Sequence, residues 1–128
     1  MRKVKDERIV KIKGIFNRLT DKLESEYSAQ GVTVYMIDTD KNIMCITGDK
    51  IENMVIERYL SYCNTMLLRS PVGLQEDKAF KSRIVTQLKI NGDVYLIIIS
   101  SYKLEAFKQD IPVIIECILD VKKEGELL

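Results

Sequence analysis

Histidine and tryptophan are absent from this chain. Without histidine there is no imidazole to act as general base, metal ligand or switch near neutral pH. That excludes a Ser-His-Asp triad and an imidazole-bound metal. Proline is scarce, with two residues in 128, and no linker, repeat or low-complexity segment stands out. Net charge is lacking as well. The 20 Lys and Arg against 19 Asp and Glu leave +1, so nothing pulls the whole chain toward nucleic acid or an acidic membrane. Long apolar runs are missing too. The longest, Val94 to Ile99, is too short to span a bilayer. The first residues, Met1 to Arg8, are basic, but no apolar segment of roughly 7–15 residues follows them, so they are not read as a secretory signal. A cytoplasmic protein is expected.

Cysteine is sparse and badly spaced for chemistry. Cys45, Cys63 and Cys117 lie 18 and 54 residues apart. No pair has C-x-x-C spacing, and an odd number argues against a disulfide framework. Each sits among apolar residues, where a free thiol behaves as a small hydrophobe. Inert thiols in a reducing compartment are expected.

What is present suits one domain spanning residues 1–128. Hydrophobic residues make up 46% and charged residues 30%, enough apolar material for a core and too much for disorder. The first 30 residues read as one amphipathic helix. Ile12, Ile15, Phe16, Leu19, Leu23 and Tyr27 recur at steps of three and four. Gly31 is expected to cap it in the left-handed conformation. Val32–Asp38 and Asn42–Thr47 then read as a hairpin of β-branched and aromatic residues. Val32, Val34 and Met36 point to one face, Tyr35 and Ile37 to the other. Both faces are apolar, so both should be covered.

Ile51 to about Met66 has helical spacing, with Asp49 as expected N-cap and Glu52 completing a capping box. Residues 67–82 give no clear element beyond a turn at Ser70–Gly73. Arg83–Ile90 and Val94–Ser100 flank Asn91-Gly92-Asp93, where Asn-Gly supplies the positive φ of a primed turn. Val94–Ile99 is apolar on successive residues and should be central in the sheet. A final helix starts at Leu104 and Phe107 and is kinked or restarted at Pro112, with Asp110 as a cap. It fills Val113 to Val121 and ends at Gly125. The order predicts an α+β domain: an antiparallel sheet with helices on both faces, the terminal helices sharing one face.

Two segments carry a family resemblance. Val32-Thr-Val-Tyr-Met-Ile-Asp-Thr-Asp-Lys-Asn-Ile43 resembles the opening hairpin of GAF and PAS sensory domains, which often read as apolar strand, Asp, short turn, Asn or Gly, apolar strand. The stretch Arg83 to Ser100 resembles the GAF pattern of a strand, an N-G-D turn and a long apolar strand before the last helix. The element order is similar to GAF over nearly the whole chain. It is also similar to the smaller roadblock sandwich, which scaffolds small GTPases. PAS fits less well, because a long helix precedes the first strand. The N-K…F…D-E signature of cyclic-nucleotide GAF domains is absent, so no ligand residue carries over. The resemblance implies a sensory or regulatory module that dimerises through its terminal helices and holds any small ligand between the sheet and the middle helix.

The residues lead to the same places. Wide apolar stripes on the terminal helices suggest a homodimer seam through Ile12, Ile15, Phe16, Leu19, Leu23, Ile114 and Ile118. A pocket under the middle helix would use Met36, Met44, Tyr59, Tyr62, Cys63 and Met66, with Arg69 or Arg83 for an anionic group. Asp38-x-Asp40-x-Asn42 with Asp49 resembles the start of a calcium loop, but Ile43 and Asp49 stand where Gly and Glu belong, so turn residues are the reading. Ser100 and Ser101 could set hydroxyls at a site rim, with no histidine to activate them. Residues 2–13 hold six basic against two acidic side chains, a patch without interleaved aromatics for base stacking. The expectation is a non-enzymatic ligand- or partner-binding module without metal or cofactor. The alternative is a roadblock-type scaffold with no small-molecule ligand.

Overall fold

The computed structural model describes residues 2–67, 74–77 and 82–128, with the side chains of 2–6, 62–67 and 75 left out of account. The elements are α1 (Arg2–Glu26), β1 (Gly31–Ile37), β2 (Ile43–Thr47), α2 (Asn53–Leu67), β3 (Gln75–Glu76), β4 (Arg83–Ile90), β5 (Asp93–Ser100), α3 (Leu104–Gln109) and α4 (Ile111–Glu126). The strands form one antiparallel sheet in the order β2-β1-β5-β4-β3. The predicted α+β class stands, and β5, apolar on successive residues, is the central strand. No helix among the described residues is long and apolar enough to cross a membrane.

The alternation of side chains along each strand divides the core in two. Val32, Val34 and Met36 of β1 share one face with Ile84, Leu88, Tyr95, Ile97 and Ile99. The terminal helices cover this face with Phe16, Leu23, Phe107, Ile114 and Ile118, all fully buried. Tyr35 of β1 faces the other way, with Val85, Leu96 and Ile98, and α2 lays Ile56 and Tyr59 over them.

The turns follow side-chain chemistry. Asn91 and Gly92 have φ of 50° and 90°, as the Asn-Gly reading requires. In the first hairpin the Asp38 carboxylate accepts from the Asp40 and Asn42 amides, each at 2.9 Å, and from the Asn42 side chain at 3.2 Å. Asp38 and Asn42 are thus turn-forming residues.

Several boundaries differ from expectation. Gly31 lies within β1, and Ser28, at φ 63°, takes the left-handed position after α1. The backbone is tied in this conformation by Ser28 O, which accepts the Ser101 hydroxyl at 2.9 Å. Asp49 does not cap α2. The helix begins at Asn53, and Glu52 O accepts the first amides, from Val55 and Ile56. Gly125 does not end α4, which runs to Glu126. Its role is close approach, since a Cβ there would lie 2.9 Å from Ile90 Cγ2. The break at Asp110 is as read, with Pro112 in the first turn of α4, although the Asp110 side chain makes no capping bond. The edge strand β3 was not foreseen. The predicted turn at Ser70–Gly73 falls outside the described residues.

Candidate functional site

Gly48 ends β2 and reverses the chain at φ +88°. A Cβ there would sit 2.5 Å from Val32 O and 2.7 Å from Thr33 Cα, so only glycine lets the segment 49–51 lie this close to β1. Tyr35 then fixes the segment from below. Its hydroxyl accepts the Ile51 amide at 2.6 Å and donates to Asp49 O at 3.4 Å. Burial pushes the Tyr35 phenol up from its ordinary value, opposed by the Ile51 amide and reinforced by neighbouring Cys45 and Asp49.

Between this segment and the ends of β1, β5 and β4 lies a cleft of about 330 Å³. Thr33, Ile98 and Ser100 contribute from the sheet, and Asp49, Lys50 and Ile51 from the segment above. Ser82 and Arg83 close the β4 side, and Gln30, Gly31, Ser101 and Tyr102 complete the lining at the end of β5. Gln30 is oriented by accepting the Tyr102 amide on Oε1 at 2.8 Å. The Ser101 hydroxyl donates to Ser28 O and accepts the Lys103 amide at 3.2 Å. It ties the loop after α1 to the loop after β5.

Arg83 connects the cleft to α2. Its Nη1 donates to the Tyr59 hydroxyl at 3.3 Å, and that hydroxyl donates to Asp77 Oδ2 at 2.5 Å. Asp77 is itself held beside β4 by its amide, which donates to Arg83 O at 3.0 Å. The Tyr59 phenol is pushed up by burial first and then by its bond to the Asp77 carboxylate, with Arg83 opposing. The result is a polarised chain of hydrogen bonds from the cleft to a buried side chain of the middle helix.

The chain matches no family model, no curated protein and no solved structure.

Of the expected pocket residues, Tyr59 and Arg83 come together and Arg83 lines the cleft. Met36 and Met44 do not take part. They are cross-strand partners on the α1/α4 face, where Met36 is buried and accepts the Tyr95 hydroxyl on its sulfur at 3.4 Å, while Met44 is partly exposed at the β2 edge. Among the described residues, Ile56 and Tyr59 of α2 pack with Leu96 and Ile98, and the cleft opens beside the segment 49–51 that leads into α2. Arg69 and the side chains of Tyr62, Cys63 and Met66 lie outside the described residues.

The expected dimer seam is also corrected. Ile12, Ile15, Phe16, Leu19, Leu23, Ile114 and Ile118 are each at most 4% exposed, because they cover this chain's own sheet. No surface on them remains for a second copy. Cys45 is half-buried and Cys117 buried, both as free thiols. Ser100 and Ser101 line the cleft. Asp49, Lys50 and Gln30 were missed as lining residues. Gly48-Asp49 was visible as a strand break, but nothing local shows that the break folds back over β1.

Proposed function

We propose that this is a non-enzymatic sensory or regulatory module that takes a small molecule in the cleft beside α2 and passes its occupancy to another protein. The observation that carries the reading is Arg83. It lines a cleft of about 330 Å³ and also bonds to Tyr59 on α2. A volume of this order is at the lower end of small-molecule sites. Polar groups converge on it beside the apolar side chains of Ile51 and Ile98, the mixture that fixes a ligand's orientation. Absence of histidine and the structural use of the Ser101 hydroxyl favour binding over catalysis.

The roadblock-type scaffold reading expects a sheet extended across a dimer and no cavity, so the cleft favours the ligand reading over it. A homodimer remains part of the proposal on other residues than first expected, since Val10 of α1 and Val113 of α4 stay exposed on the helices of one face. Light scattering giving a 14.8 kDa particle at high concentration would remove the dimer. The ligand reading is tested by a thermal-shift screen of the full chain against nucleotides, amino acids and other metabolites. A ligand at a hundred times its Kd adds about 2.7 kcal/mol, which raises Tm by several degrees. A screen in which no compound shifts Tm overturns it.

A further inference from the structure

We propose that the cleft binds its ligand through a compact anionic group, a carboxylate or a phosphate, held between Lys50 and Arg83, and that this contact is transmitted to α2 through Tyr59. The inference rests on the ligand-binding reading and names the chemistry of that site.

The lining carries two cations, Lys50 and Arg83, and one carboxylate, Asp49, and the Asp77 carboxylate stands behind Arg83, linked to it through the Tyr59 hydroxyl. Arg83 is half-buried, while Lys50 and Asp49 are both exposed. A charge partly withdrawn from water interacts more strongly with a counter-charge than one in full solvent. The neutral groups point the same way. Gln30 has its carbonyl oxygen engaged by the Tyr102 amide, so its NH₂ donors are what it offers the cleft. Ser100 adds a hydroxyl that can donate. Ile51 and Ile98 give an organic body apolar contact.

Arg83 is suited to carry the event inward. A guanidinium has five N–H donors in a fixed fork, so it can engage an anion while bonded elsewhere. Any shift of the fork toward the cleft changes its 3.3 Å bond to the Tyr59 hydroxyl. Tyr59 is 2% exposed and packed within the α2 face of the core, and its hydroxyl is the donor to Asp77. Binding at the surface thereby alters how α2 is fastened to the segment before β4.

The test is an amide NMR titration of the full chain with inorganic phosphate, succinate and 1,4-butanediol, the uncharged counterpart of succinate. The expected result is saturable shifts at Lys50, Arg83 and Ser100 with phosphate or succinate and none with the diol, accompanied by shifts in α2 around Tyr59. Whichever anion binds more tightly identifies the group recognised. Lys50→Gln, at an exposed position, should weaken binding about tenfold. Tyr59→Phe, which keeps the ring, should preserve the cleft shifts and diminish those in α2. Equal shifts from diol and succinate, or unchanged affinity in Lys50→Gln, overturn the anion assignment while the cleft remains a ligand site. Cleft shifts with a silent α2 overturn the transmission. If neither these probes nor any compound of the thermal screen binds, both this inference and the ligand reading fall.

Discussion

The two faces of the sheet are built on different terms. On the α1/α4 face, Phe16, Leu23, Phe107, Ile114 and Ile118 are fully buried in a cluster with residues of four strands. On the α2 face a smaller cluster around Ile56 and Tyr59 gives way, within the same face, to a polar cleft. The first keeps its charged groups at its margins, such as the surface pair of Arg18 with Glu124. The second brings an arginine, a tyrosine and an aspartate into one connected chain. Among the described residues the larger apolar cluster lies on one side of the sheet, and the cleft and half-buried Arg83 lie on the other.

The sharpest way to break this comparison is to empty each side in turn. Phe16→Ala should cost about 4 kcal/mol and Ile56→Ala closer to about 2, measured by urea unfolding. The α2 side is partly open and can relax around the loss. Hydrogen exchange should show Ile56→Ala opening α2 while β1 and β5 stay protected. Equal costs with global opening in both variants would merge the two faces into one core.

Next in size is Gly48→Ala, at about 3 kcal/mol. The new Cβ meets backbone at 2.5–2.7 Å and the φ of +88° disfavours any L side chain. Because Gly48 seats the segment over the cleft, amide shifts of Asp49 to Ile51 should accompany the loss.

The third comparison is made by pH. Tyr95 lies on the α1/α4 face, its ring 5.3 Å from that of Phe16, and its phenol is pushed up to about 12, chiefly by burial. An unfolded tyrosine titrates near 10. Between those values the unfolded chain releases a proton that Tyr95 retains in the fold. The unfolded state then binds fewer protons, and stability falls as pH rises. The contribution is complete below pH 10 and is lost by about pH 12, an effect of about 2–3 kcal/mol. Urea unfolding across that range should lose this slope in Tyr95→Phe.

The smallest effects are gains. Thr86 is fully buried on the α1/α4 face and its hydroxyl has no partner among the described residues. Thr86→Val removes that hydroxyl at nearly constant shape and should stabilise by about 1 kcal/mol. Gly14 lies inside α1 with no atom within 4 Å of where a Cβ would be, so Gly14→Ala should add about 1 kcal/mol by helix propensity. Thermal melts of the two variants check both.

What could be read from the sequence was whatever local chemistry dictates. Asn91-Gly92 announced its turn, the apolar run in β5 announced its central place, and Pro112 marked the break between α3 and α4. The alternation in β1 even assigned Val32, Val34, Met36 and Tyr35 to their correct faces. Met36 was nevertheless placed in a pocket on the wrong side, because methionine's suitability for pockets was weighed above the strand's period of two. The terminal stripes were read correctly as apolar and wrongly as surplus, since their width alone does not say how much sheet they must cover. The edge strand β3, two residues long, has no periodicity to detect. The cleft could not be read at all, because Asp49, Lys50, Arg83 and Ser100 meet only when β2 and β5 end, and β4 begins, at the same side of the sheet.

The central position of β5 has a consequence for the order of folding. β1 pairs with it from Gly31↔Ser100 to Ile37↔Val94, joining segments separated by about half the chain. Closing so long a loop costs entropy before any contact returns it. A nascent chain therefore has its first hairpin ready long before the strand that must seat beside it. Until β5 emerges, β1 carries an open apolar edge. The tight Asn91-Gly92 turn limits that delay, because it lets β4 and β5 assemble locally and dock onto β1 as a finished pair.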